Sequence, residues 1–577
     1  MLNIHKKKLL IITMAVLLQP YFFSGCNSGS NAGNNSIAND SATIAAGENI
    51  FNKNCSGCHN FRLDGIGPQL GGVTAARSID WLRQFIKNPK QAIDSGDEHA
   101  KQLFNKYKTI MPSYVGLKDE ELNAVIAFLD IHKAPDQQTA GGNELSNPIP
   151  DSITQSNLVV SLKPFVQIPA SSDKAPLARI TKLDFQPKTG NIFIVDLRGK
   201  LYQLQHNKPV LYMDMAKLKP TFIDQPGFAT GFGSFAFHPD FFQNGLLYTT
   251  HTEAPNSAKA DFGYADSIKV TMQWVLTEWK TNNPGEATFS GKSRELLRIN
   301  MVANIHGVQE ITFNPLSKPG DEDFGMLYIG VGDGGSVENG YPFLVHSTDK
   351  VWGTILRIDP MGSNSINHQY GIPLHNPFAN AENKETVKEI YAYGFRNPHR
   401  ITWSMSGKML ACNIGQHNIE SLNLIMPGHD YGWPIREGSF VVEPYENVNK
   451  VYPLAKNDSI YKITYPVAQY DHDEGNAISG GFEYESSDIP QLKGKFLFGD
   501  IPSGRLFYVD VTDLKQGSQA RIKEWSVSMD HNIRTLKEIC KNDRVDLHFG
   551  RDSKGELYIL TKADGKVYKL SGATMKP

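Results

Sequence analysis

The chain has 577 residues, too many for one hydrophobic core, so it is expected to divide into roughly two or three domains. Its 58 basic and 60 acidic residues leave a net charge of -2, which gives a nucleic-acid backbone no electrostatic footing and sets that class of partner aside. Fifty Gly and 32 Pro, with many short apolar runs ending in Gly or Asp, point to a β-rich body with numerous turns.

At the N-terminus Lys6-Lys7-Lys8 precede an apolar stretch from Leu9 to Leu18, followed by Phe23-Ser24-Gly25-Cys26. A basic start, a short apolar core and small residues before a cleavage point make a secretory signal over residues 1–25, and a Cys directly after that point has the pattern of a bacterial lipobox. The mature chain is then expected to begin at an acylated Cys26, as an exported, membrane-anchored lipoprotein facing the periplasm or cell envelope. A plain signal peptide or a short membrane anchor is the alternative. Residues 26–43, rich in Asn, Ser, Gly and Ala, read as a flexible tether.

The pentapeptide Cys55-Ser56-Gly57-Cys58-His59 organises the segment after the tether. Two thiols at this spacing can add to the two vinyl groups of one haem, and the adjacent imidazole then meets the iron as axial ligand. A zinc half-site would need further ligands nearby, and a redox Cys pair needs no following His. Around the motif the pattern is helical. Ala46 to Phe51 lead into it, Trp81-Leu82 and Phe85-Ile86 have helix spacing with Pro89 as a stop, and Leu122, Val125, Ile126 and Leu129 mark one face of a closing helix. Residues 44–133 resemble class I cytochrome c along their whole length. The resemblance implies haem c, with His59 and Met111 as iron ligands; Met111 lies in Ile110-Met111-Pro112, just before the closing helix. Thioether ligation favours ferrous iron and suits an electron acceptor.

Residues 134–155 carry no periodicity and read as a linker. Beyond it one phrase recurs, an aromatic residue and a turn before an alternating strand: Phe185-Gln186-Pro187, Phe237-His238-Pro239, Phe313-Asn314-Pro315 and Trp403, then Lys495-Phe496-Leu497-Phe498, and Phe549 before Glu556. Six such units over 156–577 predict an all-β six-bladed β-propeller behind an all-α cytochrome c domain.

Five words then fall in one order: Phe235-Ala236-Phe237-His238-Pro239, Gly332-Asp333-Gly334-Gly335, Leu356-Arg357-Ile358-Asp359-Pro360, Tyr393-Gly394-Phe395-Arg396-Asn397-Pro398 and Asp430-Tyr431-Gly432-Trp433-Pro434. Together they resemble the glucose/sorbosone dehydrogenase family, the soluble PQQ-dependent sugar dehydrogenases. The resemblance implies PQQ and calcium in the propeller. It also implies His306, ahead of Pro315, as catalytic base, Arg396 and Asn397 facing the cofactor, and the backbone carbonyls of Gly415 and Gln416 as calcium ligands. A salt bridge that fixes its turn is the other reading of Arg396. The pattern also departs from the family. Ile305, Ala229 and Ile414 stand where it has polar residues, its cofactor Lys is replaced near Pro502, and its Arg-x-Arg has become Asp543-Arg544-Val545, leaving Arg544 to serve. Lys562 replaces an Asp and could return a positive charge.

Cys412 and Cys540 either pair in an oxidising compartment or are buried thiols. Asp471-His472-Asp473-Glu474 reads as a solvated acidic turn, or as one that faces the cavity or a cation. The whole chain is expected to be an exported quinohaemoprotein that oxidises a small-molecule sugar or other alcohol and passes electrons through its haem to a respiratory acceptor. The alternative is an electron-carrying cytochrome whose propeller has lost PQQ and serves as a binding or docking module.

Overall fold

The computed structural model describes residues 37–576 apart from 57, 60, 62–66, 108, 109, 135–143, 228 and 446 and the side chain at 106. The expected signal segment, Cys26 and most of the tether lie outside the described residues, as do residues 135–143 of the linker. Among the described residues no helix is long and apolar enough to cross a membrane.

Helix Ser41–Asn54 starts where the Asp40 carboxylate accepts from the Thr43 amide at 2.9 Å, an N-cap placed just inside the stretch expected to be tether. It meets the closing helix Asp119–Asp130 at Gly47, where a Cβ would stand 1.9 Å from the Ala124 carbonyl oxygen. Only glycine lets the two backbones come so close. Phe51 packs there with Val125, Phe128 and Leu129, while Leu122 and Ile126 close on Ile86. The face expected of the closing helix is therefore the face it buries. Helix Ile79–Lys87 ends at Asn88, whose side chain caps the next helix, Pro89–Asp94. Pro89 thus stops one helix and starts another, at the position where its missing N–H costs nothing.

The rest is β. Among the described residues six runs of four antiparallel strands follow in chain order, opening on Ile180–Phe185, Phe232–Phe237, Glu310–Phe313, Pro398–Trp403, Ile478–Glu483 and Leu547–Arg551. Opening strands such as Phe232–Phe237 and Pro398–Trp403 are buried at every residue, as strands covered on both faces must be. Phe185, Phe237, Phe313 and Trp403 each end an opening strand, so in four runs the phrase marks the turn from first strand to second, whereas Phe496 and Phe498 lie in the second strand of the fifth run and Phe549 inside the opening strand of the sixth. The opening strands contact one another in order, and the last contacts the first, with Leu183 of Ile180–Phe185 opposite Gly550 in parallel. Strand Thr154–Gln167 comes from the other end of this domain and completes the sixth run, antiparallel to Lys566–Met575. It also pairs in parallel with Lys523–Met529, which joins the fifth run to the sixth, and with the Leu183–Gly550 pairing to the first run this makes one 13-stranded sheet.

The acidic turn has a job that neither reading of the sequence foresaw. Asp471 Oδ2 accepts from the Ile149 amide at 3.1 Å and Glu474 Oε1 from the Ile153 amide at 3.0 Å, so the turn pins the C-terminal part of the linker. Cys412 and Cys540 are both free and buried, in two separate hydrophobic clusters, and burial pushes each thiol up to about 12. They are apolar filling.

Candidate functional site

The Cys58 and His59 amides both bond to the Cys55 carbonyl at 3.0 Å, so one tight turn delivers both thiols and the imidazole to a cavity of about 380 Å³. His59 Nδ1 donates to the Pro68 carbonyl at 2.8 Å. That bond fixes the tautomer and makes Nε2 the ring's lone-pair nitrogen, as a metal ligand requires. Gly67 lies against the ring, where a Cβ would come 2.5 Å from Cε1. Met111 lines the same cavity, among Leu82, Phe85, Leu103 and Leu129. Two thiols, an imidazole of fixed tautomer and a thioether around an apolar space fit a covalently held haem. Met111→Ala should erase the methionine-to-iron charge-transfer band that marks thioether ligation, while acid-acetone still leaves the haem attached. Persistence of the band would assign the ligand elsewhere.

A second cavity, of about 140 Å³, opens among the ends of the opening strands and is lined by His306, Arg396, Asn397, Gly415, Gln416, Arg544 and Lys562. His306 is 6% exposed, with Nδ1 2.8 Å from Asp333 Oδ1. Asp333 is wholly buried; its Oδ2 accepts from Trp433 Nε1 at 3.0 Å and its Oδ1 from the Gly335 amide at 2.9 Å. Burial alone would raise the Asp333 carboxyl, but the charge and hydrogen bond of His306, the charge of Arg396 and the Gly335 amide hold it below the usual carboxylate value. An ionised Asp333 accepts the hydrogen bond of the Nδ1–H, so His306 Nε2 is the nitrogen able to accept a proton. Gly332 allows the approach, because a Cβ there would stand 2.2 Å from the His306 carbonyl oxygen. Asp333 sits in a phrase that the sequence singled out, yet its role was missed; an Asp between glycines was the available signal.

Arg396 is not poised as expected. Its Nε donates to Gln416 Oε1 at 2.8 Å, its Nη2 to Glu338 at 2.5 Å, and its Nη1 to the Gly415 carbonyl. Each guanidinium nitrogen thus has a protein partner, which makes Arg396 a strut that fixes its turn. The Gly415 carbonyl, expected to face calcium, faces a cation already, so Gly415 and Gln416 as arranged do not fit that ion. Among the described residues no group of three or more His, Cys, Asp or Glu is placed to hold a metal. Asn397 lines the pocket, while its amide is held by Asn413 Oδ1 at 2.9 Å. Arg544 Nε lies 2.8 Å from Asp546 Oδ1, and Asp543 pairs with Lys90 of the helical domain at 3.0 Å. Lys562, His399 and His548 on the pocket wall are donors of the kind that suit carboxylates such as those of PQQ.

The two cavities share Tyr107 and Arg544. Tyr107 ends helix Glu98–Tyr107 and sets its ring 5.6 Å from that of His417, and Asn304, close to His306 in the chain, donates to Ser56 Oγ at 2.9 Å. The helical domain thereby contributes Tyr107 to the lining of the β-domain pocket.

A family model described as Glucose / Sorbosone dehydrogenase matches residues 177–569, and one described as Cytochrome c matches residues 44–133. The HIPL2 protein of Arabidopsis thaliana is 29% identical over 322 residues, 48% of this chain and 44% of that protein. Quinoprotein glucose dehydrogenase B of Acinetobacter calcoaceticus is 27% identical over 256 residues, 42% of this chain and 47% of that protein. This chain thus spans about half the length of these curated relatives. A solved glucose dehydrogenase aligns with a TM-score of 0.51 at 18% identity, over 71% of this chain and 99% of its own, a likeness of fold.

Proposed function

Because the chain belongs to the glucose/sorbosone dehydrogenase family and carries a cytochrome c domain ahead of that module, we propose that it oxidises a sugar or other alcohol in the β-domain pocket and hands the electrons to haem c. What carries this reading is the His306–Asp333 pair opening on a pocket that shares Tyr107 and Arg544 with the haem cavity. The β domain is on this reading a six-bladed propeller, supported by the cyclic contact of six opening strands and the closure of the last run by Thr154–Gln167. PQQ, when bound, supplies a two-electron acceptor. His306 Nε2 takes the proton of the substrate hydroxyl, and Asp333 stabilises the imidazolium and keeps the ring oriented. Trp433 and Gly335 hold Asp333 in turn. Full-length protein incubated with PQQ and an aldose should reduce its own haem, seen as a rising ferrous α band. No reduction across sugars and alcohols with PQQ demonstrably bound removes this reading.

The second reading is a binding or docking module fused to an electron-carrying cytochrome. It is favoured by the pocket of about 140 Å³, below the roughly 300 Å³ at which ligand pockets usually begin, and by the diversion of Asp543 and Arg396 to structural contacts. Equilibrium dialysis with micromolar PQQ separates the two.

We also propose export and anchoring through Cys26, on the strength of the Lys-rich start, the apolar run and the Cys after Gly25. Cys26→Ser should lose acylation and move from the membrane to the soluble fraction; unchanged fractionation would remove the anchor. The terminal acceptor on this reading is a respiratory carrier.

A further inference from the structure

We propose that the wall of the β-domain pocket formed by Lys562, His399 and His548 is a binding site for a carboxylate. Lys562 is 8% exposed and its ammonium makes no hydrogen bond or ion pair among the described residues. His399 and His548 are 4% and 1% exposed, and both ring nitrogens of each lack a hydrogen-bond partner. Their rings stand 5.4 Å apart, and all three residues line the one pocket.

Buried donors normally find acceptors, and those left without one await a partner from outside the chain. Asp546 attracts the Lys562 ammonium but lies against Arg544 at 2.8 Å, and the neighbouring Arg400 is held by Glu310. Burial, with Arg400 and Lys562 nearby, holds both imidazoles well below their ordinary value, so at neutral pH each is uncharged and carries one N–H. Two imidazoles and an ammonium thus share one wall of the pocket, and the charge-assisted bonds such a set makes are those of a carboxylate, not of a neutral hydroxyl. His306 lines the same pocket, so a hydroxy acid held by its carboxylate on this wall would present its hydroxyl end on the side of the base.

This inference deepens the dehydrogenase reading and rests on it only for that last step. The carboxylate has two possible sources, a sugar acid as substrate or the cofactor itself, and the test separates them. Calorimetry on the full-length, haem-loaded protein would use glucuronate, glucose and PQQ in parallel. Glucuronate binding, or PQQ binding alone, is expected, with no heat from glucose; the first result places a substrate carboxylate on the wall and the second a cofactor carboxylate. Lys562→Met should weaken that binding at least tenfold and Lys562→Arg should keep part of it, with unchanged haem spectrum and melting temperature. If Lys562→Met does not fold, His548→Gln takes its place with the same expectation. Binding should also fade as pH rises through about 8, where burial places the Lys562 ammonium against the opposing pulls of Asp546 and Asp196 and the added push of Arg179 and Arg544. Heat from glucose equal to that from glucuronate, no binding by either carboxylate, or parental affinity in Lys562→Met overturns the site. Absent haem reduction with carboxylate binding intact would instead remove the dehydrogenase reading alone.

Discussion

Replacing His306 by Ala should cut sugar-dependent haem reduction on the order of a hundredfold to ten-thousandfold, the usual cost of losing a positioned general base. The size of the effect follows from geometry. His306 is the residue that joins an ionised, buried carboxylate to the pocket: Asp333 holds its Nδ1 at 2.8 Å, and Trp433 holds Asp333 at 3.0 Å. Its backbone lies at φ 49, a left-handed conformation that alanine tolerates poorly and asparagine well. His306→Asn is therefore the companion variant, since it removes the base without adding backbone strain. Both variants should keep the melting temperature of the helical domain and the ability of the haem to be reduced by ascorbate, so that only turnover falls. Stopped-flow traces in which either variant reduces its haem at the parental rate would show that proton abstraction lies elsewhere.

The haem side of this pair of sites was legible because its chemistry is local. Cys55, Cys58 and His59 sit on one turn, and Met111 lies just ahead of a closing helix whose buried face repeats at helical spacing. The recurring aromatic phrase was legible for the same reason, since in four runs it marks a turn between sequential strands. The pocket in the β domain was not, because its partners come from different runs. Arg396 meets Glu338 from 58 positions away, and no local pattern announces that a guanidinium will be spent on a carboxylate and on the Gly415 carbonyl. Asp333 and His306 lie 27 apart, a pairing that only the folded sheets bring about. The unpartnered imidazoles are further from view still, His399 opening one run and His548 another.

Glu310→Gln should destabilise the β domain by about 3–5 kcal/mol, the cost of breaking a buried ion pair by removing one partner. Glu310 is 1% exposed and lies on the third opening strand; its Oε1 takes Lys182 Nζ of the first at 2.5 Å, and its Oε2 takes the Arg400 guanidinium of the fourth. One carboxylate thus ties three opening strands together. Glutamine keeps the shape and an acceptor but leaves two buried cations facing each other. Lys182 retains the Ile311 carbonyl at 2.8 Å and Arg400 the Thr181 carbonyl at 2.9 Å, contacts that soften the loss without supplying charge. Against a domain stability of about 5–15 kcal/mol, the change is large enough to read directly in urea, with tryptophan emission reporting the β domain and haem absorbance the helical one. The triple variant Lys182→Met, Glu310→Gln, Arg400→Met removes the stranded cations and should recover part of the lost stability. A single Glu310→Gln shift under about 1 kcal/mol, or a triple variant no better than the single one, would mean that water reaches this cluster and that the strands are held by their apolar faces alone.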